Sequence, residues 1–469
     1  MKIRRTLSIL LAVALLCSLM AGCGSGGGGE KNAAGDKPNR IVIIGSAYAL
    51  EEEQKAWDEV CSAFTAETGI EVVQNRQGTW DDIPQKLQAS KLGQEQIDLV
   101  VVGMGTITAS LGPAGSVMDL TQLMAGLTDR FPDGVLDSCS IDGHLWCFPY
   151  SDASGTTCFY NKTMFQQYDL TVPTNLQEWA HCAKVLSDNG IIPFMVQGKD
   201  TWAWAMPFFD TYGQATGGQS VEKVQAWLRG QQSVADPQVY AAFDGLKALY
   251  DNGILTSESF DTDETGMLAN FAQGKCAMFF CGTWDYGVLK SMELDFDYGA
   301  FEFPVVIDGA QMCHAFATGD GAISIPSWVD QDNLDNIMRF VEYLTRTENA
   351  KKILCASSGG SPLFEIVKGA TGEVDEVTRF LNEVSVPHSV EYLDWVWPSK
   401  VNDAMCNVIP SVISGKMTSQ EAADYVQQTL DTMVSEDDYV YDWWNSWSDE
   451  QWQAVTPGHI PDVTAFFAK

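Results

Sequence analysis

The sequence predicts an α/β protein built as two lobes, and three observations carry that prediction. Strand and helix patterns alternate without interruption across residues 41–102, as they do where a parallel sheet is covered by helices. The chain is too long for a single hydrophobic core and comfortable for two. A second series of strand and helix patterns, starting near residue 146, repeats the same alternation.

In the first series, residues 41–44 are a short apolar run that suits a strand buried on both faces. Residues 51–68 place Trp57, Val60, Cys61 and Phe64 at helical spacing, and Gly69 stops that helix. A strand at 70–73, a helix at 82–92 and a strand at 97–102 complete two successive βαβ units, which require a parallel sheet. In open sheets of this kind ligands gather beyond the carboxyl ends of the strands. The loops holding Ser46 and Tyr48, residues 77–81 and residues 103–106 fall there.

The second series predicts strands at 146–150, 157–160 and 276–280, with helices at 163–168, 176–189, 221–228 and 237–252. Residues 333–346 carry Ile337, Phe340, Val341 and Leu344 at i, i+3, i+4 and i+7, one buried face of an amphipathic helix.

The N-terminus has the form of a bacterial export signal. Lys2, Arg4 and Arg5 precede an apolar run at residues 7–19, which ends in Met20, Ala21, Gly22 and Cys23. The run is too short to remain as a comfortable membrane span. Cleavage after residue 22 would leave Cys23 first, with residues 24–38 as a Gly-rich tether whose mean reach is on the order of 20 Å.

Loss of Lys2, Arg4 and Arg5 would move the net charge from -34 to -37. A surface that acidic repels nucleic acid and anionic headgroups. Ten cysteines remain in the body, with no Cys-x-x-Cys pair, and the five histidines are scattered, so neither a cofactor nor a zinc site is expected. Cys276 and Cys281 lie an odd number of strand residues apart and face opposite ways, so they should not bridge; most body cysteines are expected as buried thiols.

A series of short motifs, in order along the chain, resembles bacterial extracellular solute-binding proteins of carbohydrate ABC importers, the maltose and trehalose type. Phe64, Thr68, Gly69, Ile70 and Val72 are similar to the family's helix end and second strand. Asp142-Gly143-His144-Leu145-Trp146 with Pro149, then Tyr160-Asn161-Lys162, follow in family order. Gly274-Lys275-Cys276-Ala277-Met278, Gly282-Thr283-Trp284 and Gly319-Asp320-Gly321 complete the likeness, and the Met20-Ala21-Gly22-Cys23 stretch resembles a lipobox with Met in place of the usual Leu.

The resemblance implies a two-lobe periplasmic-binding-protein-like fold of type II with a ligand cleft at the hinge, and chain crossings near residues 150–155, 315–321 and 361. Its implied organisation is a signal peptide at 1–22, a lipidated Cys23 and tether to 38, a first lobe at 39–149 plus 319–361, and a second at 150–318 plus 362–435. Beyond the family's last helix, an aromatic-rich extension, 436–469, is expected either as a helix folded back on the second lobe or as a partner-binding strip. Implied partners are a small solute, sugar or oligosaccharide, the permease subunits of an ABC importer, and the membrane through the Cys23 lipid; the protein should be a monomer on the outer face of the cell membrane.

Sugars offer flat apolar ring faces edged by hydroxyls, so their sites combine stacking aromatics with carboxylates. The expected platforms are Trp284, from its match to the family's cleft tryptophan, then Trp397 and Trp395, then Trp202. The expected polar partners are Asp320, Asp152 and Asp285, with Trp80 and Asp81 from the opposite lobe and Tyr150 and Ser154 at the crossing. Two other readings stay open at this point. One is a carbohydrate-active enzyme, although no serine-elbow, zincin or phosphate-loop motif is present. The other is a sensory or adhesion lipoprotein that feeds no transporter.

Overall fold

The computed structural model describes residues 39–436 and 447–456, apart from 142, 318, 386 and 387. The signal, Cys23 and the tether lie outside the described residues. The first lobe begins β1 (Arg40–Gly45), α1 (Glu51–Thr68), β2 (Glu71–Arg76), α2 (Ile83–Gly93) and β3 (Leu99–Gly103). In β1 the residues from Ile41 to Gly45 are all buried, which is why it is a continuous apolar run rather than an alternating one. Helix α1 buries Trp57, Val60, Cys61 and Phe64 and ends at Gly69, whose φ of 74° suits glycine and whose N–H donates to Thr65 O at 2.8 Å.

The chain then adds β4 (Phe148–Pro149) to the first sheet and passes directly into β5 (Ser154–Asn161) of the second. The second sheet gains β6 (Ile192–Val196), β7 (Cys276–Gly282), β8 (Tyr298–Phe301) and β9 (His314–Ala317). After β9 the chain crosses back into β10 (Gly321–Ser324) of the first sheet, and a short β11 (Ser389–Val390) returns to the second.

The first sheet has the order β2-β1-β3-β10-β4, and every strand but β10 runs the same way. The six-stranded second sheet has the order β11-β9-β5-β7-β6, with β8 also paired to β5, and every strand but β5 runs the same way. Both lobes are therefore mainly parallel. The reversed strands β5 and β10 are the two that begin immediately after the chain arrives from the other sheet.

Three apolar cores follow this plan. The first lobe packs Trp57, Phe64, Trp146 and Phe340 together with Ile337, Val341 and Leu344 of the amphipathic helix Leu334–Leu344. The second sheet has a core on each face: Met278 and Phe280 point to Trp179, Phe208 and Trp397, while Phe279 points to Phe271 and Tyr286. Cys61 and nine further cysteines from Cys139 to Cys406 are free thiols, and all but the half-buried Cys355 are buried.

Four features differ from the sequence expectation. The strand at 146–150 is confined to Phe148–Pro149. A helix at Ala205–Thr216 was hidden because nearly all its residues are buried, which removes the amphipathic rhythm. Ile366, Val367 and Ala370 join the first core, so that lobe does not end at residue 361. The helix of the extension, Asp449–Val455, packs on the first lobe and not the second: Trp452 stacks on His144 with centroids 4.1 Å apart, and Asp119 N–H donates to Val455 O at 2.8 Å. The apolar ring faces of Trp447 and Trp452 find their cover against Trp146. Trp443 and Trp444 lie outside the described residues.

Candidate ligand cleft

Aromatic and acidic side chains collect at the strand ends and crossing segments of the two lobes. Trp80, in a short turn capped reciprocally by Thr79 and Asp82, lays its ring over Gly103 at the end of β3, where an added Cβ would sit 2.5 Å from Cε3. Trp395 comes from the opposite side. It is half-buried against both the first and the second core, and its Cδ1 lies 1.9 Å from where a Cβ on Gly105 would be. Tyr392 flanks it at 5.2 Å between ring centroids.

On the second lobe, Trp284 folds back over Gly282 at the end of β7 and faces Trp202 at 6.0 Å and 54°. Its indole N–H donates to Glu264 Oε1 at 3.3 Å. Both rings are half-buried.

The crossing segments carry the carboxyls. Asp152 accepts the backbone N–H groups of Ala153, Leu363 and Phe364. Burial nevertheless outweighs those bonds and pushes its carboxyl up to about 7, helped by the charge of Asp320. Asp320 is likewise pushed up to about 7 by burial, with Ser154 nearby holding it down somewhat. Asp394, one residue from Trp395, is also raised to about 7 by burial, and its Oδ1 has no partner. Sequence reasoning missed Asp394, Tyr392 and Glu264; Asp394 and Tyr392 lie within three residues of Trp395, which was the available signal, whereas Glu264 meets Trp284 only in space.

The expected site residues divide accordingly. Trp395 packs against the cores of both lobes, Asp152 and Asp320 lie on the crossing segments, Trp80 stands at the end of β3, and Trp202 and Trp284 face each other on the second lobe. Tyr150 is almost covered, held by Arg76 Nη2, which donates to its hydroxyl at 3.2 Å, and by the edge of Trp57. Three expectations are corrected. Trp397 is 1% exposed and packs against Phe208 and Phe209, because the helical turn at Leu393–Trp395 directs it into the core. Asp285 is 1% exposed and turned inward at the start of a helix. Ser154 is 1% exposed, its hydroxyl paired with that of Tyr392 at 3.1 Å. The Asp81 side chain lies outside the described residues.

Two mainly parallel α/β lobes, crossed by strands that enter each sheet from the other, are the architecture of a type II solute-binding protein. Residues 59–374, more than half of the chain, match the family described as bacterial extracellular solute-binding protein, and the chain belongs to that family. It is 24% identical over 215 residues to the multiple sugar-binding protein of Streptococcus mutans, a match covering 45% of this chain and 49% of that protein. The matched part thus spans about half the length of that relative. Among solved structures it resembles a chitin oligosaccharide binding protein (TM-score 0.70, 20% identity, covering 85% of this chain and 100% of that one). It also resembles the binding protein RafE in complex with raffinose (TM-score 0.67, 21% identity, 84% and 99% covered).

Proposed function

We propose that this protein captures a sugar or oligosaccharide between its lobes and delivers it unaltered to the permease of an ABC importer, while a lipid on Cys23 holds it at the outer face of the cell membrane. The observation that carries the reading is the pairing of rings with carboxyls: Trp284 and Trp202 face each other beside Glu264, and Trp395, packed against the cores of both lobes, follows Asp394 in the chain. Flat rings take the apolar faces of a sugar, and carboxyls take its hydroxyl donors. The names of the similar proteins, a multiple sugar-binding protein and binders of raffinose and chitin oligosaccharide, favour the same ligand class.

In this reading Trp284 and Trp202 form the platform on the second lobe, and Trp80 and the ring of Trp395 close over the solute from across the junction. Asp320 and Asp152 sit on the crossing segments, so a solute touching them reports directly to the hinge. Solute shifts the open and closed populations by its difference in affinity for the two forms. Calorimetric titration with raffinose, maltose and chitin oligosaccharides tests the proposal. Stoichiometric binding with the sugar recovered intact supports it; no heat with any of them, or a cleaved sugar, overturns it.

A further inference from the structure

Behind the Trp284 platform, Glu264, Cys281 and Asp285 bring two carboxylate oxygens and a thiol sulfur within 4.8 Å of one another. Cys281 and Asp285 are 4% and 1% exposed, while Glu264 is half-buried and opens the group toward solvent. Two carboxylates this close in a low-dielectric pocket cannot both stand ionised without a positive partner; they share a proton or hold a cation. Among the described residues, no hydrogen bond or ion pair from a lysine or arginine to either of them is found.

Two further observations point to an ion. Asp285 Oδ2 is buried without a hydrogen bond. The Gln197 side chain, 1% exposed, accepts from Cys281 Sγ at 3.1 Å through Oε1, and its Nε2 has no hydrogen-bond partner. The amide oxygen thus already stands beside the sulfur, within reach of an ion held there. One thiolate sulfur with two or three oxygens at tetrahedral reach is a donor set for a borderline divalent cation of the zinc type.

We propose that Glu264, Cys281 and Asp285, with the Gln197 amide oxygen as a fourth ligand, form a site for a zinc-like divalent cation. The site runs against the sequence expectation of no zinc, which rested on scattered histidines and the lack of a Cys-x-x-Cys pair; it uses neither, and its three ligands come from the start of one helix, the end of β7 and the start of the next helix. Binding displaces the Cys281 thiol proton and the proton held by the carboxyl pair, and the ion takes their place. Because the thiol and the carboxyl pair give up protons to the ion, affinity for it rises with pH. Because the Trp284 indole donates to Glu264, a bound ion also fixes the ligand platform from behind.

The test is titration of the chelator-treated intact chain with Co2+ or Cd2+, read by the thiolate-to-metal charge-transfer absorption that a cysteine ligand alone produces. The many surface carboxylates do not contribute to that band. The expected result is one equivalent of band-forming ion per chain in the wild type and in Cys355→Ser, which removes the one half-exposed described thiol. Cys281→Ala should abolish the band, and Asp285→Asn should keep the fold while weakening the ion by about 100-fold or more. Absence of the band from the wild type, its survival in Cys281→Ala, or its loss in Cys355→Ser overturns the proposal. The outcome is independent of sugar binding, which is measured separately.

Discussion

The carboxylate of Asp152 holds the backbone N–H of Leu363, with its two oxygens at 2.9 and 2.7 Å. Asp152 lies on the passage from the first sheet to the second, and Leu363 lies on a later passage, in the core behind β7. One side chain thus ties two crossings of the chain together at the hinge, and it does so with a carboxyl that burial pushes up to about 7.

Asp152, Asp320 and Asp394 share that raised pKa, against an ordinary 3.8 in the unfolded chain. Each binds its proton more tightly folded than unfolded. The stability they add is full below about pH 4 and declines as pH rises toward about 7, beyond which it changes no further. Asp320→Asn removes one ionisation, so the melting temperature of the sugar-free variant should fall less than that of the wild type between pH 5 and 8. Equal slopes in a calorimetric series would show that Asp320 titrates normally.

Gly105 and Trp395 are packed so closely that a methyl group cannot enter between them. Gly105→Ala should therefore hold the lobes apart and weaken sugar binding by about tenfold or more, although alanine by itself favours the local helix by up to about 1 kcal/mol. Affinity by titration calorimetry checks this; unchanged affinity means that Trp395 moves freely.

Trp284 and Trp397 should separate binding from folding. Trp284→Ala should cost about 1.5 to 3 kcal/mol of sugar affinity on the burial scale, with little change in melting temperature. Trp397→Ala should cost about 3 to 5 kcal/mol of stability, because it empties a core site. Denaturant unfolding combined with calorimetry gives both quantities for each variant.

The docked tail makes a further prediction. Trp452→Ala removes the ring stacked on His144 and should lower stability by about 1 to 3 kcal/mol. Chemical denaturation reads the loss, and an unchanged midpoint would mean that the helix does not contribute to the first lobe.

Much of the fold was legible because local patterns and tertiary burial agree. The buried run of β1, the spacing of Trp57 to Phe64 and the Gly69 stop, and the 3.6-residue rhythm of Ile337 to Leu344 each report their own environment. The Ala205–Thr216 helix was silent because burial on all sides erases periodicity, and Pro207 and Gly213 within it argue locally against helix. The site was legible only to the level of neighbourhoods. Trp395 and Trp397 look alike in sequence, and only the turn at Leu393–Trp395 decides which ring reaches the junction and which enters the core. The pairing of Glu264 with Asp285 depends on a helix and a strand end meeting in space, which no spacing in the chain encodes.

The most direct test of the whole account is small-angle scattering of the protein with and without a saturating oligosaccharide. A fall in the radius of gyration on addition, with the sugar recovered unchanged, is the result the account predicts. An identical profile at saturation would contradict it.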